Sequence, residues 1–208
     1  MKPRTRLLPR ARYHRDARLF VVATEGQETE PGYFRALEAR ELIPATRVRL
    51  LVLPAEEGRS AVKHLVDRVA KCLDREPFET GFDQVWLVLD TDLGIGNRVE
   101  QLRGLVQDCE SSGWRLAISH PSFEVWLLLH VTDDVGAVDD TCASVVRCLQ
   151  SHLGGYHKSH PPPACLDRAA LATAIERART LDTTPMAPWP TTPASRMYRL
   201  LVELRQGM

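Results

Sequence analysis

The sequence predicts an α/β protein, with a mainly parallel sheet of about four strands flanked by helices and followed by a helical region. Two observations carry this prediction. Short apolar runs of strand length alternate with segments whose apolar residues recur at helical spacing, the order typical of parallel α/β sheets. Beyond residue 132 the strand-like runs stop, and helical patterns separated by proline-rich stretches follow.

The elements follow one another in a β-α-β-α-β-α-β order through the first part of the chain. Predicted strands cover residues 18–24, 47–53, 85–89 and 114–118, and predicted helices cover 32–38, 60–73 and 99–109. A further helix follows Pro121, and three more occupy 141–153, 167–181 and 195–204. We therefore expect a basic N-terminal arm (1–17), an α/β core (18–132) and a helical C-terminal region packed on that core (133–208).

The strand at residues 85–89 delivers two carboxylates to its end. Asp90 and Asp92 are one residue apart and follow an unbroken apolar run. Buried strands of parallel sheets emerge at the edge where α/β proteins place their sites, and paired acids there indicate divalent metal or phosphate chemistry. Because Asp also caps helices and starts turns, this segment alone is equally open to a structural interpretation.

Other acids are predicted at the same edge. Glu25 follows the first strand and precedes Gly26, which allows a sharp turn into the next helix. Glu28 and Glu30 come next, and the favourable interaction of acids with the start of a helix explains them. Glu124 begins the helix after the fourth strand, where it could simply complement the helix dipole, but its apolar neighbours favour a metal or a cation as its partner.

Together these residues resemble the RloB family, whose proteins carry a Toprim-like catalytic core. The resemblance runs from about residue 19 to residue 204 and rests on four blocks: Glu25-Gly26 with Thr29-Glu30-Pro31 and Tyr33-Phe34, Asp90-Thr91-Asp92, residues 119–130, and Tyr156-His157-Lys158. It implies a Toprim-like, Rossmann-like fold in which a Glu-Gly turn and an Asp-x-Asp pair surround Mg²⁺ to make or break phosphodiester bonds. It also implies a nuclease-type effector of bacterial antiphage defence, controlled by an ATPase partner encoded nearby.

The acids have distinct expected roles in that chemistry. Glu25, Asp90 and Asp92 are expected to bind Mg²⁺, or Mn²⁺ in its place, because hard cations prefer carboxylate oxygens. Glu25 has a second interpretation as the general base that takes a proton from the attacking water. Glu124 is expected to orient the site or complete the metal shell.

Three basic side chains are candidates for contact with substrate phosphate. Lys158, in the fourth block, would hold a phosphate or stabilise developing charge, whereas without that block a solvated surface lysine is the favoured interpretation. His120 and His130 are candidates for leaving-group protonation or phosphate contact, and each is equally consistent with a hydrogen-bonded structural histidine.

The distribution of charge bears on the partner. Lys and Arg together number 27, as do Asp and Glu, so no global charge attracts a polyanion. Seven of the basic residues, however, lie within residues 1–18 against a single acid. Such an arm would neutralise phosphates of DNA or RNA in a salt-dependent way, or would serve as a solubilising leader.

The composition also bears on location. No stretch of eighteen apolar residues is present, so we expect no membrane span. The five cysteines are odd in number, scattered and without a Cys-x-x-Cys pair, which favours reduced thiols and a cytoplasmic protein. His152, His157, His160 and Cys165 match no standard zinc signature. A homo-oligomer is left open.

Two other functions fit the same residues. An apolar strand followed by Asp-x-Asp and a glycine also opens haloacid-dehalogenase-type phosphatases, in which the first Asp is a covalent nucleophile. That motif normally lies on the first strand, whereas Asp90 lies in the middle of this chain. The other alternative is a non-catalytic adaptor that binds nucleic acid or a partner protein.

Overall fold

The computed structural model describes residues 17–56, 62–92, 96–135 and 138–206. These ranges form a five-stranded sheet with strand order β2-β1-β3-β4-β5. The strands are β1 (Arg18–Thr24), β2 (Val48–Leu53), β3 (Gln84–Asp90), β4 (Arg115–His120) and β5 (Ala194–Ser195). The first four are parallel, and β5 pairs antiparallel with the end of β4. The predicted α/β class is confirmed, with one short extra strand.

The helices agree with the predicted segments to within a few residues. They are α1 (Thr29–Ala39), α2 (Val62–Leu73), α3 (Arg98–Ser112), α4 (Glu124–Leu128), α5 (Cys142–Leu153), α6 (Arg168–Leu181) and α7 (Met197–Gln206), with a 3-10 turn at Pro163–Cys165. Most of the basic arm, residues 1–16, and part of the loop after Asp92, residues 93–95, lie outside the described residues.

Alternation along the strands explains why both faces of the sheet are covered. In β1, Phe20 and Val22 pack on one face, while Leu19, Val21 and Ala23 pack on the other. The second face is covered by α2 and α3, and the first by α1 and α4 together with the C-terminal helices. A strand that is covered on both faces needs apolar side chains along its interior. Polar residues of β1 and β3 therefore lie at the strand ends.

The C-terminal region packs on the core, and a buried ion pair joins two of its own helices. Residues of α5, α6 and α7 share a single apolar cluster with β1 and β3. Asp182, just after α6, accepts hydrogen bonds from Arg196 Nε and Nη2 at 3.1 Å, and both side chains are almost fully buried. Tyr198 and Arg199 donate to the same carboxylate. This network fixes the start of α7 against the end of α6.

None of the helices in the described ranges has the length and apolar character needed to cross a bilayer. All five cysteines are free thiols.

Candidate functional site

A cleft of about 680 Å³ lies at the carboxyl edge of the parallel strands. Its walls come from the ends of β1 and β3 and from the starts of α1, α3, α4 and α5. Five of the side chains predicted for the site line it: Glu25, Asp90, Asp92, Glu124 and Lys158. The cleft is therefore the place where acids distant in sequence come together, as expected for strands β1, β3 and β4 that are neighbours in the sheet.

Asp90 is the last residue of the central strand β3, and one of its carboxylate oxygens has no partner in the part of the chain that the structure describes. Its Oδ1 atom is buried and has no hydrogen-bond partner among the described residues. Burial raises the pKa of Asp90 well above its usual value, and the nearby charges of Glu30, Glu124 and Glu25 raise it further. A buried carboxylate oxygen near other carboxylates is a favourable place for a cation to bind.

Glu30 belongs to the same cluster of acids. Its sequence position predicts only a favourable interaction with the start of a helix. Its side chain is buried, and Oε1 accepts a hydrogen bond from the Gly26 N–H at 3.1 Å. A Cβ at position 26 would lie 2.0 Å from Glu30 Oε2, so glycine is required there for the carboxylate to fit. Burial raises the pKa of Glu30 to about 7, with repulsion from Glu124 and Glu25 adding to it. Glu30 therefore does more than complement a helix dipole.

Arg98, the first residue of α3, links two strand ends beneath the cleft. Its Nη2 donates to Glu25 Oε2 at 2.6 Å and also to the Asp90 carbonyl, and its Nε donates to the Thr91 carbonyl at 3.0 Å. The guanidinium is almost fully buried. Arg98 thus neutralises part of the charge of Glu25 and fixes it beside β3.

Glu124 is held from two sides. Its Oε2 accepts from Ser122 Oγ at 2.7 Å, and its Oε1 accepts from the Tyr156 hydroxyl at 3.1 Å. The Lys158 ammonium lies 3.9 Å from Oε1, and this side chain is 69% exposed. The loop between α5 and the 3-10 turn therefore brings the Lys158 ammonium to the mouth of the cleft.

Asp92 closes the acidic turn in a strained backbone conformation. Its φ of 38° lies in the left-handed region, which Asp tolerates better than most residues. Its N–H donates to the Pro121 carbonyl at 3.3 Å, and its half-buried side chain lines the cleft. Cys142, also in the cleft, has its thiol pKa raised by burial and by the charge of Asp92.

The two histidines are buried and are not among the residues that line the cleft. His130 Nδ1 contacts the Trp126 carbonyl at 2.9 Å, and its Nε2 contacts the Tyr33 hydroxyl at 3.2 Å. Burial lowers the pKa of His130 to about 4, so the ring is neutral near pH 7. His120 Nδ1 contacts Thr91 Oγ1 at 2.6 Å. Both rings occupy the hydrogen-bonded positions of structural histidines.

The donor set fits a hard divalent cation in its chemistry, although the carboxylates stand apart from one another. Within the described ranges, no three Asp, Glu, His or Cys side chains converge closely enough to hold a metal ion. Repulsion among Glu25, Glu30, Asp90 and Glu124, which raises the pKa of two of them, opposes closer approach without a cation. Mg²⁺ and Mn²⁺ prefer carboxylate oxygens as ligands, and Asp90 offers one that has no other partner among the residues described.

Comparison with known proteins gives one match. The family model described as RloB-like protein matches residues 20–204. No curated protein and no solved structure matches the chain significantly. Because the matched segment covers nearly all of the 208 residues, the chain belongs to the RloB-like protein family.

Proposed function

We propose that this protein is a Mg²⁺-dependent nuclease that hydrolyses phosphodiester bonds in DNA or RNA, with Mn²⁺ able to replace Mg²⁺. The observation that carries the proposal is the buried, unpartnered Oδ1 of Asp90 facing the carboxylates of Glu30, Glu124 and Glu25. Such an arrangement is costly unless a cation joins it, and costly clusters of acids concentrate at functional sites.

The cation would be held by Asp90, Asp92 and Glu25, with Glu30 and Glu124 next to it. Bound there, Mg²⁺ would supply Lewis-acid activation of a phosphoryl oxygen and of water. Arg98 holds Oε2 of Glu25, and the other oxygen of this carboxylate would also be in position to accept a proton from the attacking water. Glu25 therefore keeps both of its expected roles.

Lys158 would receive the substrate. Its ammonium is exposed at the cleft mouth and lies 3.9 Å from the carboxylate of Glu124. A lysine in this position supplies a point charge to a phosphate of the nucleic acid strand. The basic residues within 1–18 would add salt-dependent contacts with neighbouring phosphates.

The biological setting of the proposal rests on the family. RloB-like membership and the Toprim resemblance support an effector of antiphage defence or abortive infection in the bacterial cytoplasm, working with an ATPase partner encoded nearby. A partner that controls the cleft would keep the nuclease inactive until infection.

The test is cleavage of labelled DNA and RNA by the full-length protein in Mg²⁺, Mn²⁺ or EDTA, alone and with the ATPase and ATP. We expect metal-dependent cleavage that Asp90→Asn abolishes and that Glu176→Gln, an exposed change on α6, leaves intact. Cleavage by the Asp90 variant at the wild-type rate would contradict the proposal. Turnover of small phosphate esters with a trapped aspartyl-phosphate would favour the phosphatase instead. Full defence by an Asp90 variant, with no cleavage by either protein, would favour the adaptor.

A further inference from the structure

A chain of three side chains, buried at Thr91 and His120 and exposed at Asp140, runs behind the acidic turn. Thr91 Oγ1 and His120 Nδ1 are 2.6 Å apart, and both residues are buried. On the other side of the ring, His120 Nε2 lies 3.5 Å from Asp140 Oδ1. Thr91 sits between the two proposed ligands Asp90 and Asp92, so the chain ends at the centre of the candidate site.

The contacts favour one direction for the hydrogen bonds. The Asp140 carboxylate attracts an N–H and repels a ring-nitrogen lone pair, so it favours the tautomer of His120 that carries its proton on Nε2. Nδ1 is then the acceptor, and the Thr91 hydroxyl donates to it. Among the described residues Nε2 has no hydrogen-bond partner, and the 3.5 Å separation makes its contact with Asp140 an electrostatic one.

An Asp-His-hydroxyl chain also activates nucleophiles in other enzymes, but the position of Thr91 argues against that role. Its side chain has no solvent exposure and is not among those lining the cleft. A hydroxyl in that position cannot reach a substrate phosphate. The chain therefore acts on the acids and not on the substrate.

Thr91 is held at all of its polar groups. Its N–H donates to the Ser119 carbonyl at 2.9 Å, and its carbonyl accepts from Arg98 Nε at 3.0 Å. The hydrogen bond between the Thr91 hydroxyl and His120 holds the third polar group and fixes the side-chain rotamer of Thr91. Since Asp92, the next residue, already occupies a left-handed conformation, releasing Thr91 would let the whole turn relax.

We infer that Thr91 and His120 are positioning residues that aim the Asp90 and Asp92 carboxylates at the cation. The inference rests on the cation site of the proposed function. Partners that orient metal ligands through such hydrogen bonds typically contribute about 10-fold to 100-fold in metal affinity. His120 is thereby assigned a role behind the metal ligands and not in direct contact with phosphate.

The experiment measures Mn²⁺ affinity of the full-length protein by electron paramagnetic resonance, together with unfolding in urea. Thr91→Val removes the hydroxyl, while Thr91→Ser keeps it. His120→Asn keeps an acceptor near the position of Nδ1, while His120→Ala does not. Ser119→Ala is the matched control, because it breaks another buried hydroxyl contact, with Ser195 Oγ at 2.8 Å, at the same strand end.

We expect Thr91→Val and His120→Ala to weaken Mn²⁺ binding by about 10-fold or more, and the serine and asparagine variants to recover most of it. Ser119→Ala should lose stability and keep wild-type affinity. Wild-type affinity in Thr91→Val, or an equal loss in Ser119→Ala, would overturn the inference while leaving the cation site standing. A wild-type protein that binds no Mn²⁺ would overturn both.

Discussion

Replacing Glu30 with glutamine should stabilise the metal-free protein at alkaline pH. Burial, reinforced by Glu124 and Glu25, raises the pKa of Glu30 from its ordinary 4.5 to about 7. An acid whose pKa is raised by folding contributes stability that is complete below pH 4.5 and is lost as the pH rises through 7. Each pH unit between the two pKa values costs about 1.4 kcal/mol, so the loss is about 3 kcal/mol.

The glutamine variant has no charge to bury at any pH, and its amide oxygen can still accept from the Gly26 N–H. In urea unfolding with EDTA, followed by fluorescence of the four tryptophans, it should match the wild type near pH 4.5 and exceed it by about 3 kcal/mol at pH 8. Glu28→Gln, an exposed change beside the same helix start, should have little effect at either pH. Parallel pH profiles for wild type and Glu30→Gln would refute the reasoning.

Saturating Mg²⁺ should remove the difference in stability between the wild type and Glu30→Gln at pH 8. A cation that joins the cluster compensates the charge of the ionised Glu30 carboxylate, so it stabilises the wild type more at pH 8 than near pH 4.5, where protons compete for the same oxygens. The variant, with one carboxylate fewer, should gain less at pH 8. Equal gains by the two proteins would mean that Glu30 has no part in cation binding.

Three further predictions follow from other contacts. Gly26→Ala should weaken Mg²⁺ binding in calorimetry, since a Cβ would displace the Glu30 carboxylate, whereas Gly104→Ala, a helical position with open space, should add up to about 1 kcal/mol in urea unfolding. Wild-type binding by the first variant would contradict this. Asp182→Asn should cost about 3–5 kcal/mol in urea unfolding, because it leaves a buried guanidinium without its charge partner. Glu176→Gln, in an exposed pair, should cost under about 1 kcal/mol, and similar losses for both would contradict the burial argument. Calorimetry at pH 7 in buffers of different ionisation enthalpy should show proton release on Mg²⁺ binding, because acids with raised pKa values must ionise. Binding enthalpies independent of the buffer would contradict it.

Much of the fold is readable from the sequence because the sheet is buried on both faces. The uniformly apolar runs at β1 and β3 and the helical periodicity of α2 have few alternative interpretations. Strand β5 was not predicted because its two residues are too few to show any periodic pattern, and they follow a proline-rich link. Its pairing depends on where β4 ends, which is tertiary information.

The sequence predicts the site residues that directly follow a strand. It does not predict those whose role depends on a contact with a residue distant in sequence. Asp90 and Glu25 carry the signal in their own flanking residues. Glu30 has a sufficient local explanation as a first-turn acid, and only the packing of its carboxylate over Gly26 shows otherwise. Arg98 has no local signal that ties it to Glu25, which lies 73 residues earlier. The glycine after Glu25, with an acid four positions later, is the pattern that would have found Glu30.

We expect carboxylates from separate strand ends to bind the same divalent cation in the cleft. Anomalous diffraction from crystals soaked in Mn²⁺ tests it most directly. We predict a strong peak within coordination distance of Asp90 and of at least one of Glu25 and Glu30. A saturated crystal with no peak in the cleft, or with Mn²⁺ bound only elsewhere, would contradict it.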